Sequence, residues 1–182
     1  MLCPGTKAPD FNVTAWCSIE KGKEFKNISN KDYTGQWIVL YTYPKDFTFV
    51  CPTEIVEFER RKKDFEARNA VLLGGSTDNE YAHLAWCKEH PDLKKLSHPL
   101  LFIPQSMAIG YGLLHPTAEV ALRATFLIDP EGTIRYACAN ELSVGRNVDE
   151  IIRVLDGLQT GELVACNWKK GEETLTAKLK KA

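Results

Sequence analysis

The chain has 182 residues, with 23 lysines and arginines against 24 aspartates and glutamates, a net charge of −1 and six cysteines. That length fits one domain with a sizeable core, and the interspersed, near-balanced charge leaves no footprint for nucleic acid or for an anionic membrane surface. The opening Met1-Leu2-Cys3-Pro4-Gly5 lacks the pattern of a signal peptide and no apolar run reaches membrane-spanning length, so a cytoplasmic protein is expected; six cysteines without a Cys-x-x-Cys pair suit neither a disulfide scaffold nor a zinc knuckle.

Residues 1–35 are mixed and rich in turn formers, and they predict short strands around Phe11 to Ala15 and a hairpin at Lys21-Gly22-Lys23. Cys3 and Cys17 have no charged or histidine partner nearby in sequence and read as structural. Trp37-Ile38-Val39-Leu40-Tyr41-Thr42-Tyr43 is a β-branched and aromatic run ended by Pro44, the signature of a central strand.

The next residues, Pro44-Lys45-Asp46-Phe47-Thr48-Phe49-Val50-Cys51-Pro52-Thr53-Glu54, run from that strand through a loop into a helix. Pro52 suits the first helical position, Glu54 and Glu57 suit the positive end of the dipole, and Ile55, Phe58, Lys62 and Phe65 continue at helical spacing to about Arg68. Cys51 therefore falls at a helix N-terminus, a setting that favours the nucleophilic thiolate. Thr48 stands where a turn would aim its hydroxyl at the sulfur or at an oxygen bound beside it, and Pro44 would shield the site from water. A packed cysteine, with Thr48 as a mere turn residue, is the plainer alternative. The coincidence of strand end, proline-bounded loop and helix start favours the reactive reading.

Val71 to Ser76 is an apolar run without alternation, a strand buried on both faces of a parallel or mixed sheet. Thr77-Asp78-Asn79 caps a helix from about Glu80 to Glu89, with Tyr81, Leu84 and Ala85 at helical spacing and Cys87 as a helix residue. A proline-bounded apolar run over 99–104 precedes a short helix from Ser106 that stops near Gly112. Val120 to Ile128 then reads as a strand, Asp129-Pro130-Glu131-Gly132 as a turn, and Thr133 to Ala139, with a packed Cys138, as the returning strand. Arg123 lies inside the first of these strands, an unusual place for a charge unless it is paired or faces a site; a strand edge in solvent is the other reading, and pattern alone leaves both open. The last strong helix starts at Asn147, with Glu150 placed as in a capping box, and carries Val148, Ile151, Ile152, Leu155 and Leu158 to Gly161. Beyond it the tail is polar and poorly periodic, and its lysines 178, 180 and 181 read as solvated. The whole is an α/β chain, with a domain over 1–160 and a tail over 161–182. His83, His90, His98 and His115 show no ligand spacing with carboxylates or thiols, so no metal or other cofactor is expected and the histidines read as solvated or capping.

Phe47-Thr48-Phe49-Val50-Cys51-Pro52-Thr53-Glu54, with Pro44 ahead of it, resembles the active-site motif of the typical two-cysteine peroxiredoxins, the group that includes the catalytic subunit of bacterial alkyl hydroperoxide reductase. Pro9-Asp10-Phe11, Arg123 to Asp129, Ser143 to Glu150 and Asn167-Trp168 extend the resemblance over most of the chain. It implies a thioredoxin-like fold with peroxiredoxin N-terminal additions, a central mixed sheet flanked by helices. It also implies a thiol-dependent peroxidase that reduces hydrogen peroxide and organic hydroperoxides in antioxidant defence. Cys51 would be the nucleophile that becomes a sulfenic acid, joined by Pro44, Thr48 and Arg123; Arg146 would orient Glu54 or the loop.

A sulfenic acid condenses with a second thiol, and Cys166 in the mobile-looking tail is the best partner. Most relatives carry the resolving cysteine four residues before the tryptophan, where this chain has Val164; Cys166 is two before Trp168 and matches the second cysteine of a Cys-Ala-Cys variant. The resemblance implies an intersubunit disulfide, a homodimer, commonly a ring of five dimers, and a reducing protein: thioredoxin, a flavoprotein reductase or a dedicated adaptor. The stretch from Trp86 to Leu101 lacks a Gly-Gly-Leu-Gly segment and the last residues lack a Tyr-Phe ending, so slow accumulation of sulfinic Cys51 is expected under excess peroxide. A thioredoxin-like oxidoreductase would need a cysteine at Glu54. A redox-regulated holdase or scaffold oligomer without an essential peroxidase role remains the alternative, and it would survive Cys51→Ser.

Overall fold

Val39 to Tyr41 lie on an inner strand of a seven-stranded sheet. The strands are β1 (Asn12–Trp16), β2 (Phe25–Ser29), β3 (Trp37–Thr42), β4 (Ala70–Ser76), β5 (Leu100–Phe102), β6 (Arg123–Ile128) and β7 (Ile134–Asn140), in the order β2-β1-β5-β4-β3-β6-β7. The structure, a computed structural model, describes residues 1–181, and the chain divides into two compact units, Met1–Arg146 and Asn147–Ala182. In the first unit β3, β4 and β5 are parallel, while β1, β2, β6 and β7 pair antiparallel. The mixed α/β sheet expected from the sequence is therefore present.

Alternation along β3 separates two layers. Ile38 and Leu40 join Leu73, Leu101, Phe126, Ile128 and the residues Met107, Ala108 and Tyr111 of α4 (Gln105–Tyr111) in one core. On the other face Tyr41 stacks on Phe58 of α1 (Val50–Arg60), with ring centroids 4.0 Å apart. Ile55, Phe58 and Phe65 are fully buried, and each contributes about 1.5–3 kcal/mol by leaving water. Gly74 makes the stacking possible, since a Cβ there would lie 2.5 Å from the Tyr41 ring carbon Cζ.

Several local expectations are corrected. The helix after Cys51 does not run to Arg68: it breaks at Arg61, whose guanidinium pairs with Asp64, and resumes as α2 (Lys62–Glu66). Pro52 lies inside the first turn rather than opening it. In α3 (Glu80–Glu89), capped by Asn79, the buried residues are His83, Trp86 and Cys87, while Tyr81 and Ala85 are exposed. Strand β6 starts at Arg123, and Val120 to Leu122 lead into it through a bridge between Leu114 and Ala121.

In the second unit, α5 (Val148–Thr160) buries Val148, Ile151, Ile152 and Leu155 along one face. Asn147 caps it by accepting from the Glu150 amide, but Glu150 turns to Arg153 instead of completing a box. The tail is folded, not loose. The Leu163 amide donates to the Thr176 hydroxyl at 2.9 Å, the Leu175 amide to the Leu163 carbonyl at 2.8 Å, and the Trp168 indole to the Glu172 carbonyl at 3.0 Å. Thr174 then caps α6 (Leu175–Leu179), and Lys181 pairs with Glu173. Two residues explain the misreading: Trp168 is buried, and Thr174 supplies a cap that periodicity does not register.

Candidate active site

Cys51 lies in the first turn of α1 and is fully buried. The turn begins without a side-chain cap, Phe49 being its N-cap, so its first amides keep their dipole without a local acceptor. Above it stands Phe49, 94% exposed, and Phe47 holds φ of 54°. A bulky residue in the left-handed region stores strain, and here the strain sits four residues before the cysteine.

Arg123 enters from β6 and is itself buried. Its Nη1 donates to the Cys51 sulfur at 3.3 Å and to Glu54 Oε2 at 2.8 Å, and its Nε donates to the Leu142 carbonyl at 2.7 Å. Of the two readings the sequence left open for Arg123, the solvent-facing strand edge is excluded by these contacts. Glu54, one turn after Cys51, serves both arginines: Arg146 grips it with Nε on Oε1 and Nη2 on Oε2, each at 2.8 Å, and with its backbone amide at 2.8 Å. Burial works against the charge on Glu54, but the hydrogen bonds and charge of Arg146, with Arg123, outweigh it and hold the carboxyl below its ordinary value. Glu54 is thus an ion-pair hub, a role beyond its expected service to the helix dipole.

Arg146 also donates from Nη1 to the Ala124 carbonyl at 2.6 Å, and its guanidinium carbon lies 5.5 Å from the Tyr41 ring centroid and 5.7 Å from that of Phe58. The loop that carries it is folded on itself, with Asn140 Nδ2 donating to the Gly145 carbonyl at 3.0 Å.

The loop before Cys51 is pinned at Asp46. Its carboxylate accepts from the Tyr43 hydroxyl at 2.9 Å and pairs with His83 Nδ1 at 2.7 Å, while its amide donates to Asp78 at 2.7 Å. His83 and His98 are both fully enclosed beside carboxylates, Asp46 and Glu59, which corrects their reading as solvated or capping. His115 does cap, its Nδ1 accepting from the Ala118 amide at 3.1 Å. No group of three or more His, Cys, Asp or Glu among the described residues is placed to hold a metal.

Pro44 is buried in the loop. The Thr48 hydroxyl donates to the Lys45 carbonyl at 3.0 Å, closing the turn, and is not on the sulfur. Cys166 is exposed in the second unit, next to Asn167 with φ of 58°, and Val164 packs beside Gly157. All six cysteines are free thiols. Cys3 is exposed rather than packed, Cys17 and Cys138 are half-buried, and Cys87 is fully enclosed. Sequence reasoning passed over Tyr41, Tyr43, Asp46 and Glu59. The available signal was polar types inside or beside apolar runs, which must find partners once buried.

Residues 4–137 match the AhpC/TSA family. The alkyl hydroperoxide reductase C of Mycobacterium tuberculosis (strain H37Rv) is 47% identical, covering 97% of this chain and 95% of that protein; peroxiredoxin tpx1 of Schizosaccharomyces pombe is 44% identical over 96% and 93%. Among solved structures, the reduced 2-Cys peroxiredoxin of Plasmodium vivax superposes with a TM-score of 0.88 at 36% identity, covering 96% of this chain and 93% of that one.

Proposed function

This chain belongs to the AhpC/TSA family, has its thioredoxin-like peroxiredoxin fold and is a thiol-dependent peroxidase acting on hydroperoxides, and we propose that Cys51 is its nucleophile. One observation carries that assignment: the buried sulfur receives an Arg123 N–H at 3.3 Å from a guanidinium that cannot be deprotonated. The donor suits a thiolate better than a thiol, and the same guanidinium face suits the oxygens of a peroxide. Cys51 thiolate attacks the terminal oxygen of ROOH, the O–O bond breaks, the sulfur becomes S–OH and the departing RO⁻ takes a proton to leave as ROH. Glu54 and Arg146 act one step back, fixing Arg123. Pro44 closes the site to water, and Thr48, through its turn, places its backbone and hydroxyl beside the incoming oxygen.

Cys166 completes the cycle: its thiol condenses with the sulfenic acid of another subunit, releasing water and forming a disulfide that a reducing protein reopens. Burial of Cys51 supports a particular order of events. Its sulfur cannot meet another chain until the first turn of α1 opens, and the uncapped start and the strained Phe47 lower the cost of opening. A homodimer, assembled as a ring of five dimers, in the cytoplasm, is part of this reading; no helix among the described residues is long and apolar enough to cross a membrane.

The test is peroxide consumption by wild type, Cys51→Ser and Cys166→Ser with a dithiol reductant, each also run on a non-reducing gel after one addition of oxidant. Loss of activity in Cys51→Ser and of the linked dimer in Cys166→Ser is the expected result. Full activity without Cys51 overturns the nucleophile, and an unchanged linked dimer without Cys166 overturns the resolving thiol.

A further inference from the structure

His98 is buried by the C-terminal end of α1, between two partners. Its Nδ1 lies 2.7 Å from Glu59 Oε2 and its Nε2 lies 2.6 Å from the Tyr41 hydroxyl. An ionised carboxylate only accepts, so Nδ1 carries the proton and Nε2 offers its lone pair to the Tyr41 O–H. Glu59 is fixed in turn: it accepts from the Ser97 hydroxyl at 2.6 Å and the Ser97 amide at 3.1 Å, and Lys62 donates to the same hydroxyl at 2.8 Å. Burial holds His98 below the ordinary histidine value in spite of Glu59, and burial pushes the Tyr41 hydroxyl well above the ordinary tyrosine value, so this proton arrangement persists at neutral pH. The charged and titratable groups around Tyr41 are Arg146, Glu54, Glu59, Cys87, Tyr43 and His98.

The other end of this chain of contacts is the Tyr41 ring, wedged between Phe58 and the space left by Gly74, under the Arg146 guanidinium at 5.5 Å. Donation from the phenol to an imidazole that is itself polarised by a carboxylate enriches the ring face on which a cation rests. We propose that Glu59, His98 and Tyr41 form a relay of positioning residues that acts on the Cys51 site through Arg146, Glu54 and Arg123. A weaker ring face loosens Arg146, Glu54 then draws more of Arg123, and less of the Arg123 guanidinium remains for the sulfur and the peroxide.

The proposal rests on Cys51 as nucleophile. The experiment compares wild type, Tyr41→Phe, Glu59→Gln and the double variant by the pH dependence of Cys51 alkylation with iodoacetamide, the second-order rate with hydrogen peroxide, and Tm. Tyr41→Phe keeps the ring and is expected to slow peroxide reduction up to about twofold and raise the alkylation midpoint by up to about 0.3 pH unit, a fraction of one cation–π contact. Glu59→Gln is expected to move both in the same direction by less, and the double variant to match Tyr41→Phe, because one chain of contacts is cut twice. Unchanged midpoint and rate with only Tm lowered overturn the relay, as do additive effects in the double variant. Undiminished peroxide consumption by wild type whose Cys51 has been alkylated overturns the nucleophile assignment instead, and the two failures are distinct.

Discussion

Cys51 and Cys87 are both fully buried and both sit on helices that pack on the same sheet, yet their surroundings differ in one respect. Cys51 has a guanidinium N–H at 3.3 Å; Cys87, in α3, has burial first and then the negative charge of Asp46, which together push its thiol up. Enclosure beside Asp46 leaves the Cys87 thiol raised and inert, whereas Cys51 is enclosed with a cationic donor on its sulfur. The contrast separates the proposed nucleophile from a packing cysteine without reference to exposure.

Cys51→Ser gives the largest effect. Loss of peroxidase activity by at least about a thousandfold is expected, since hydroxyl is a poor nucleophile without a base beside it. Glu54→Gln is next. It leaves the Arg123 and Arg146 guanidinium groups buried without the carboxylate they share, and a loss of about 3–5 kcal/mol in unfolding free energy is expected by chemical denaturation, with slower peroxide reduction. The pH dependence has a definite sign. The folded carboxyl of Glu54 titrates below its unfolded value, so its ion pairs stabilise the fold fully above the unfolded value and progressively less as pH falls through the folded one. Glu59, lowered to about 2 against the opposing effect of burial by hydrogen bonds from His98 and Ser97, acts in the same direction. Acid unfolding of wild type with no extra slope below the ordinary carboxylate range would sink both assignments.

The strand-loop-helix around Cys51 was legible because its signals are local: the β-branched run over 37–43, the break at Pro44 and the apolar spacing of Ile55, Phe58 and Phe65. Arg123 was legible as an oddity, a charge within an apolar strand, but its partners come from α1 and from the loop after β7, seventy-two residues from Cys51 in one case, and no local pattern encodes that pairing. The buried face of α3 was misread because His83 counts as polar; once Asp46 accepts its proton, the histidine packs inward and Tyr81 is turned out. Fold of the tail rests on side-chain-to-backbone bonds from Thr176, Thr174 and Trp168, which composition cannot reveal.

Arg123→Lys sharpens the comparison at intermediate magnitude. Lysine keeps the charge but gives up the fixed fork that reaches the sulfur, Glu54 and the Leu142 carbonyl together, and a fall in peroxide reduction of about ten- to a hundredfold is expected, with the Cys51 alkylation midpoint raised. A wild-type rate in this variant removes the geometric part of the argument and leaves only charge.

The smallest effect falls on the other side of the comparison. Cys87→Ala removes one sulfur from a filled interior, and a destabilisation of about 1 kcal/mol is expected from the cavity, read as a small shift of the denaturant midpoint. Peroxidase activity should stay at the wild-type rate, because Cys87 contributes packing and no charge. The two thiols are told apart in one experiment: iodoacetamide added to native protein near neutral pH, followed by peptide mass spectrometry, is expected to label Cys51 and to leave Cys87 unmodified until denaturant is added. The raised Cys87 thiol fixes the sign, since in the closed native protein it is enclosed from the reagent and almost none of it is thiolate at that pH. Equal labelling of both cysteines in the native protein would mean that Arg123 adds nothing that burial does not.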